Sequence, residues 1–169
     1  GCTIHSGDRE FGVPDEYPLE AAGCRIDENG KKYIRVKGVR WYTNIDHGRR
    51  HNPLSLMSMA DNIKYSKHKD IQGKKYQHYD NYDAIEIPYT DAIPCDYENL
   101  MGVPVTFLDK YCPEQFDIIW QACGNTRASA PKEILDEVGY TIHPEDRGGC
   151  GVVNNKRQYA RILIRKKHL

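Results

Sequence analysis

The chain has 169 residues, with 24 Lys plus Arg and 24 Asp plus Glu, so its formal net charge is zero. This balance excludes a uniformly basic nucleic-acid binder and an acidic disordered tail. The charges are nevertheless segregated along the chain. Residues 30–80 hold 12 basic and 4 acidic side chains, residues 81–120 hold 1 and 8, and residues 147–169 hold 7 and none. Such blocks either form separate basic and acidic faces or interleave in space and neutralise each other.

Length and composition predict one domain over residues 1–169. No run of about 18 apolar residues predicts a transmembrane helix, and the N-terminus has no signal-peptide core, so a cytoplasmic location is expected. No two of the six cysteines are closer than 11 residues, which argues against a zinc ribbon and favours reduced thiols. Only 39% of residues are hydrophobic, which is typical of a modest core with large half-exposed surfaces.

The first elements are predicted in chain order. Residues 1–24 are rich in Gly, Pro and acidic side chains, and we expect an irregular lead-in. The Asn-Gly pair at 29–30 predicts a type I′ turn in a hairpin over residues 25–34. Period-two alternation predicts strands at 33–36 and 39–45. Residues 47–80 show no periodicity, and we expect a long basic loop there that could be mobile.

The second half of the chain favours short elements. A short strand is predicted near 82–87, and residues 105–108 are either a short strand or the lead-in to a turn. One helical turn is predicted near 113–116. A strand is predicted at 116–122, and a helix at 131–138 that ends at Gly139. The end reads as a strand pair.

The strand pair predicted at the end of the chain consists of residues 151–153 and 159–165. Ala160, Ile162 and Ile164 lie on one face of the second strand. The fold class is therefore mixed α/β, strand-rich, with short helices and long loops.

Few motifs point to catalysis. Residues 148–151 form either a tight turn or a backbone-amide anion site helped by Arg147. The scattered His and Cys residues leave open a catalytic triad. A metal site from Asp46 and His47 with a remote ligand is also open, although no ligand spacing supports it.

A second set of polar residues suits nucleic acid. Arg is bidentate to guanine, Asn to adenine, aromatic rings stack on exposed bases, and Lys attracts phosphates. The same residues also fit a solvated strand face followed by a flexible loop. The candidate DNA-contacting residues are Arg40, Trp41, Tyr42, Asn44, His47, Arg49, Arg50, Lys64, Lys67, Asn125, Arg127 and Arg147.

Several segments, taken together and in order, resemble the C-terminal half of the EcoRI-type adenine-specific DNA methyltransferases. They include VRWYTNIDH at 39–47, YDNYDAI at 79–85, IPCDY at 93–97, MGVPVTFL at 101–108, PEQF at 113–116, HPEDRGGCG at 143–151 and YARILI at 159–164. The resemblance covers nearly the whole chain.

The resemblance implies methyl transfer from S-adenosylmethionine to N6 of a flipped adenine in duplex DNA. It also implies an Asn-Pro-Pro-Phe catalytic motif, but Asn-Pro occurs once here, at 52–53, and is followed by Leu and Ser. The family's cofactor loop is absent as well. We therefore expect a partial S-adenosylmethionine-dependent methyltransferase-like sheet, with duplex DNA and an upstream catalytic half as partners. No catalytic residue is assigned, and the segment alone is expected neither to bind the cofactor nor to methylate DNA.

Two other classes stay open. One is a stand-alone binding or structural module whose basic blocks are neutralised internally, and the other is a metal- or thiol-dependent hydrolase. If the chain supplies part of a larger sheet, an edge strand and an apolar patch are left uncovered, and self-association through that edge is expected.

Overall fold

The computed structural model describes residues 2–18, 23–43 and 45–167, with the side chains of 2–6 and 40–43 outside the described part. Backbone contacts divide the chain into two compact units, Gly1–Asp46 and His47–Leu169. Among the described residues, no helix is long and apolar enough to cross a membrane.

The first unit is a three-stranded antiparallel sheet in the order β1-β3-β2. Its strands are β1 (Cys2–Gly12), β2 (Cys24–Ile26) and β3 (Lys32–Thr43). The irregular lead-in predicted for residues 1–24 is wrong over β1, which pairs along β3. The register shifts on both sides of Gly7, which has a φ of 74°. This bulge interrupts the side-chain alternation by which a strand is predicted.

The predicted hairpin forms between β2 and β3, but its turn is not type I′. Among the described residues of the loop, only Gly30 has a positive φ, whereas a type I′ turn requires two. The Asp27 carboxylate instead accepts hydrogen bonds from the backbone N–H groups of Asn29 (3.0 Å) and Lys31 (2.8 Å). The loop is therefore closed by an Asp side chain.

Two exposed ion pairs cross this sheet. Arg25 contacts Glu10 at 2.6 Å and Arg35 contacts Asp8 at 2.7 Å. The backbone N–H of Gly38 and the Arg35 guanidinium hold the pKa of Asp8 below its usual value.

The second unit contains a four-stranded mixed sheet, a two-stranded hairpin and two short helices. The sheet has the order β4-β5-β9-β6, in which β4 and β5 are parallel and β9 lies antiparallel between β5 and β6. The elements are α1 (Met59–Tyr65), β4 (Ala84–Glu86), β5 (Leu100–Pro104), β6 (Phe116–Ala122), α2 (Lys132–Glu137), β7 (Val152–Val153), β8 (Lys156–Arg157) and β9 (Arg161–Lys166). The expected mixed, strand-rich α/β class is confirmed.

The loop predicted for residues 47–80 contains two regular elements, a 3₁₀ helix at Gly48–His51 and α1. Ser58 begins α1 by accepting a hydrogen bond from the Asp61 N–H (3.1 Å). A helix of two turns, such as α1, is too short to show a helical period in the sequence. This is why the sequence predicts a loop there. Residues 105–108 likewise lie in a 3₁₀ helix, Val105–Lys110, rather than in a strand.

The predicted pairing at the end of the chain is wrong. A turn at Asn154 and Asn155, with φ values of 51° and 59°, joins β7 to β8. The last strand, β9, instead enters the middle of the main sheet. Its residues Ile162, Leu163 and Ile164 are all buried, because both faces of a central strand are covered.

Apolar side chains cover both faces of the main sheet. One cluster contains Ile85, Met101 and Phe116, and the other contains Leu100 and Leu163. Successive strand residues belong to different clusters because strand side chains alternate between faces. The sheet is therefore the core of the second unit and fixes the loops at its ends.

Candidate nucleic-acid interface

The predicted residues of the first unit lie at the end of β3. Arg40, Trp41 and Tyr42 pair through their backbones with β1, and their side chains are outside the described part. Asn44 lies outside the described residues. A DNA-contacting role for these four residues therefore stays a prediction.

Three further candidates lie at the start of the second unit. Arg49 is exposed and lines a cavity of about 370 Å³. Arg50 is half-buried and has interactions of its own. His47 is half-buried, and its Nε2 atom is enclosed without a hydrogen-bond partner in the described structure.

The cavity beside Arg49 has mixed charge. Lys110, which the sequence did not identify, lines it together with Asp91 and Asp109. A phosphate there would compete with two carboxylates for two cations, so the cavity is not a simple anion site. Asn52 also lines the cavity.

Lys64 and Lys67 lie in and just beyond α1. The Lys64 ammonium is 4.8 Å from the Tyr65 ring centroid and its side chain is exposed. Lys67 contacts Asp91 at 2.9 Å, and His68 contacts the same carboxylate at 2.9 Å. Lys67 is therefore partly neutralised by the protein, whereas Lys64 faces solvent.

The basic and acidic sequence blocks interleave in part. Besides Lys67 and Asp91, half-buried Arg161 pairs with Glu86, and Lys167 pairs with Asp117 at 3.0 Å. In each case a basic block contributes the cation and residues 81–120 contribute the carboxylate. Cations without such partners are therefore the better candidates for binding an external anion.

The structure brings Asn125, Arg127 and Arg147 together. The Asn125 N–H donates to the Arg147 carbonyl (3.1 Å), and the Arg127 N–H donates to the Gly148 carbonyl (2.9 Å). The Arg127 guanidinium donates to the Tyr140 hydroxyl (2.9 Å), which raises the pKa of Arg127. Arg127 is thus held by the fold, while the side chains of Asn125 and Arg147 are exposed.

The glycine-rich segment 148–151 is a structural turn. The Gly149 N–H donates to the Asp146 carboxylate (2.8 Å), and its carbonyl accepts from the buried Tyr82 hydroxyl (2.6 Å). Because the protein already uses this N–H, it is not available to an external anion. The tight-turn interpretation is therefore the better supported.

A second cavity, of about 530 Å³, lies between two loops that follow β6 and β8. Cys123 and Gly124 line it from the first loop. Arg157, the last residue of β8, lines it together with Gln158 and Tyr159 of the second loop. Sequence reasoning missed Arg157 and Tyr159. The signal that could have found them is the acid-free basic stretch 147–169, in which an aromatic residue follows an arginine by two positions.

The described residues bear on the metal and thiol alternatives. Within the described part of the chain, no three His, Cys, Asp or Glu side chains are placed to hold a metal ion. The cysteines that the structure describes are free thiols: Cys24, Cys95, Cys112, Cys123 and Cys150. Burial raises the pKa of Cys112, and the hydrogen bond from its thiol to Glu114 raises it further, so this thiol is poorly suited to act as a nucleophile.

The Asn-Pro pair does not complete a methyltransferase motif. Asn52 and Pro53 are followed by Leu54 and Ser55, whereas the motif that the resemblance implies continues with Pro and Phe. The backbone N–H and carbonyl of Leu54 are both bound by the Gln115 side-chain amide, at 2.8 Å and 2.9 Å. The segment therefore has no ring to stack on adenine and a main chain that is already engaged.

Comparisons with known proteins identify the family. The sequence profile described as adenine-specific methyltransferase EcoRI matches residues 1–167. The type II methyltransferase M.EcoRI of Escherichia coli is 37% identical over 169 residues, which are all of this chain and 43% of that protein. The type II methyltransferase M.MgeORF184P of Mycoplasma genitalium is 33% identical over 173 residues, covering all of this chain and 49% of that protein.

A third relative, the type II methyltransferase M.MpnI of Mycoplasma pneumoniae, is 27% identical over 143 residues, which are 84% of this chain and 40% of that protein. No solved structure matches. The chain spans less than half the length of these curated relatives. With the profile matched from residue 1 to residue 167, the chain belongs to the EcoRI family of adenine-specific methyltransferases.

Proposed function

We propose that this chain is the C-terminal, DNA-contacting and sheet-completing segment of a cytoplasmic adenine-N6 DNA methyltransferase of a restriction-modification system. The observation that carries the proposal is the family match over residues 1–167. The parent enzyme would use S-adenosylmethionine as methyl donor and duplex DNA as substrate.

The exposed cations of the second unit support DNA contact. Arg49, Lys64 and Arg147 present charged groups to solvent, and Asn125 presents an amide. Cations that neutralise phosphates release counterions, which supplies most sequence-independent affinity. Lys67 and Arg127, held by Asp91 and the Tyr140 hydroxyl, would position their loops rather than bind phosphate directly.

The open edge of the main sheet supports the sheet-completing role. In the described structure β6 pairs with β9 on one side only, and Ile118 on this strand is 41% exposed. An unpaired edge with exposed apolar groups favours addition of another strand. The remainder of the enzyme is the proposed partner, and self-association through this edge is the alternative for the isolated chain.

Catalysis would depend on residues outside this segment. Because Asn52–Ser55 does not fit the catalytic motif, this chain has no group to which we assign a step of methyl transfer. We expect no methylation of duplex DNA and no S-adenosylmethionine binding by the purified chain. Methyl transfer by this chain alone would refute the proposed division of roles.

The DNA-contacting role is tested by binding to labelled duplex DNA at low salt. The triple variant R40A/R49A/R50A should bind more weakly, and the slope of log affinity against log salt should fall by up to about 3, roughly 0.9 per lost phosphate contact. A matched variant, K31A/K37A/K132A, removes the same charge from three exposed positions elsewhere in the chain and should retain most of the slope. Unaltered binding by the first variant would remove these arginines as the contact site.

Heparin chromatography of the purified chain distinguishes a DNA-contacting segment from a stand-alone structural module. A stand-alone module with internally neutralised charges should elute from heparin at low salt, whereas a DNA-contacting segment should be retained at moderate salt. Early elution together with absent duplex binding would favour the structural module.

A further inference from the structure

We infer that the 530 Å³ cavity between Cys123–Gly124 and Arg157–Tyr159 binds a nucleotide of DNA, with the Tyr159 ring stacked on an unpaired base and Arg157 on a neighbouring phosphate. The inference rests on the proposed function, because it names the part of the surface that contacts DNA. Neither residue was among the sequence candidates.

Tyr159 combines an exposed ring with a backbone that is held by hydrogen bonds. Its side chain is 81% exposed, so the ring contributes little to the core. Its backbone is anchored on both sides: the Gln158 N–H donates to the Gly151 carbonyl (2.8 Å), and the Arg161 guanidinium donates to the Tyr159 carbonyl (2.9 Å). An exposed ring on a rigid backbone loses little conformational entropy when a base stacks on it.

The residue that anchors Tyr159, Arg161, is itself held by hydrogen bonds. Arg161 donates to the Glu86 carboxylate through Nε (2.9 Å) and Nη2 (2.7 Å), and the Tyr79 hydroxyl donates to the same carboxylate. The Arg161 and Glu86 side chains are only 13% and 10% exposed. The Tyr159 backbone is thus held by a residue that is itself fixed in the main sheet.

The acid-free stretch 147–169 contains both paired and unpaired cations. Arg161, Arg165 and Lys167 are paired with Glu86, Glu137 and Asp117. Within the described residues, by contrast, no carboxylate lies in ion-pair distance of the other exposed cations of the same stretch. These are Arg147, Lys156 and Arg157.

Arg157 and Arg147 are linked through one short segment, Gly124–Asn125. Arg157 lines the cavity beside Gly124, and Gly124 is followed by Asn125, whose N–H donates to the Arg147 carbonyl (3.1 Å). Guanidinium groups for phosphates, an amide for base edges and an aromatic ring for a base face are thus brought together. The cavity volume is within the range of about 300–1,000 Å³ usual for ligand sites.

The chemistry of the surface favours nucleic acid over other partners. A membrane surface or an apolar protein groove would need several neighbouring exposed apolar groups. Tyr159 is instead flanked by Gln158 and Ala160 and lines the cavity together with Arg157. Fully stacked duplex bases present no free ring face, so the ligand is a base that is unpaired or extruded from the helix.

The test uses the full chain with three fluorescent oligonucleotides: a single strand, a paired duplex, and the same duplex with one unpaired adenine. Y159A should lower affinity for the single strand and the unpaired-adenine duplex by roughly 5- to 150-fold, and for the paired duplex by less than about 3-fold. Y159F should bind like the unmodified chain, because it keeps the ring. R157A should weaken binding to all three and lower the salt slope by about 1.

Ile142 offers a matched control, because it is also 81% exposed and does not line the cavity. I142A should leave all three affinities unchanged, and circular dichroism should show the same fold for every variant. If the unmodified chain binds DNA but Y159A binds the single strand equally well, the inference is wrong and the proposed function stands. Equal losses for Y159F and Y159A would refute stacking, and no DNA binding by the unmodified chain would overturn both.

Discussion

The ion pair between Arg161 on β9 and Glu86 on β4 provides the sharpest test of the fold. We consider Arg161→Met, which keeps a long unbranched side chain but removes the guanidinium. Arg161 makes hydrogen bonds to Glu86 at 2.7 Å and 2.9 Å, and the two side chains are 13% and 10% exposed. In the variant, the Glu86 carboxylate would keep only the Tyr79 hydroxyl as its partner from this cluster.

The expected cost is large because a carboxylate is left buried without its counter-charge. Removing one partner of a buried pair typically destabilises by about 3–5 kcal/mol, out of a total stability of about 5–15 kcal/mol for an ordinary domain. At roughly 2–4 °C per kcal/mol for a chain of this size, the melting temperature should fall by roughly 6–20 °C.

Urea denaturation measures this cost. The chain has two tryptophans, and Trp41 lies in the first unit while Trp120 lies on β6. A Trp41→Phe background therefore makes fluorescence report on the sheet that contains Arg161. The transition midpoint should fall, while the slope, which tracks the surface exposed on unfolding, should stay the same.

Arg165→Met is the matched control, since Arg165 lies on the same strand and pairs with Glu137 where both side chains are exposed, by 41% and 38%. An exposed ion pair contributes about 0–1 kcal/mol to stability, so this variant should change the free energy of unfolding very little. Adding Glu86→Gln to Arg161→Met removes the unpaired carboxylate charge and should recover part of the lost stability. Equal costs for the two methionine variants would refute the reasoning.

Two further predictions address other parts of the structure. Gly102→Ala places a Cβ 2.6 Å from Cε2 of Tyr79 and should cost about 1–3 kcal/mol in the same urea assay. Gly48→Ala meets nothing within 4 Å and should cost little, and equal costs would contradict the packing argument. Asp8 has a lowered pKa, so its contribution to the first unit is present above its usual value of 3.8 and lost as pH falls through the folded value. Asp8→Asn should therefore flatten the loss of amide-exchange protection in β3 below about pH 4, and an unchanged acid profile would contradict this assignment.

Elements with strong local signals could be predicted from the sequence. The strand at 116–122 and the helix ended by Gly139 form as predicted, because alternation and a C-terminal glycine are properties of a few neighbouring residues. The family was also evident, because long matched segments occur in one order. Such features need no knowledge of distant contacts.

Elements that depend on distant pairing could not be predicted. β1 is polar and bulged, and it is a strand because β3 lies beside it. β9 pairs with β5 and β6, and Ile162, Leu163 and Ile164 on it are all buried, so no alternation marked it as a central strand. The candidate site shows the same limit, since Lys110 joins Arg49 only through the folded cavity.

The close packing of Tyr79 also bears on how sequences of this family vary. Its ring lies against Gly102 on β5 and against Gly151, where an added Cβ would fall 2.8 Å from Cδ1 of the ring. These three positions are far apart in the chain but share one small space. Among homologues, a side chain larger than hydrogen at either glycine should accompany a smaller residue at the position of Tyr79. Co-variation of these three alignment columns would therefore record the contact without any structure.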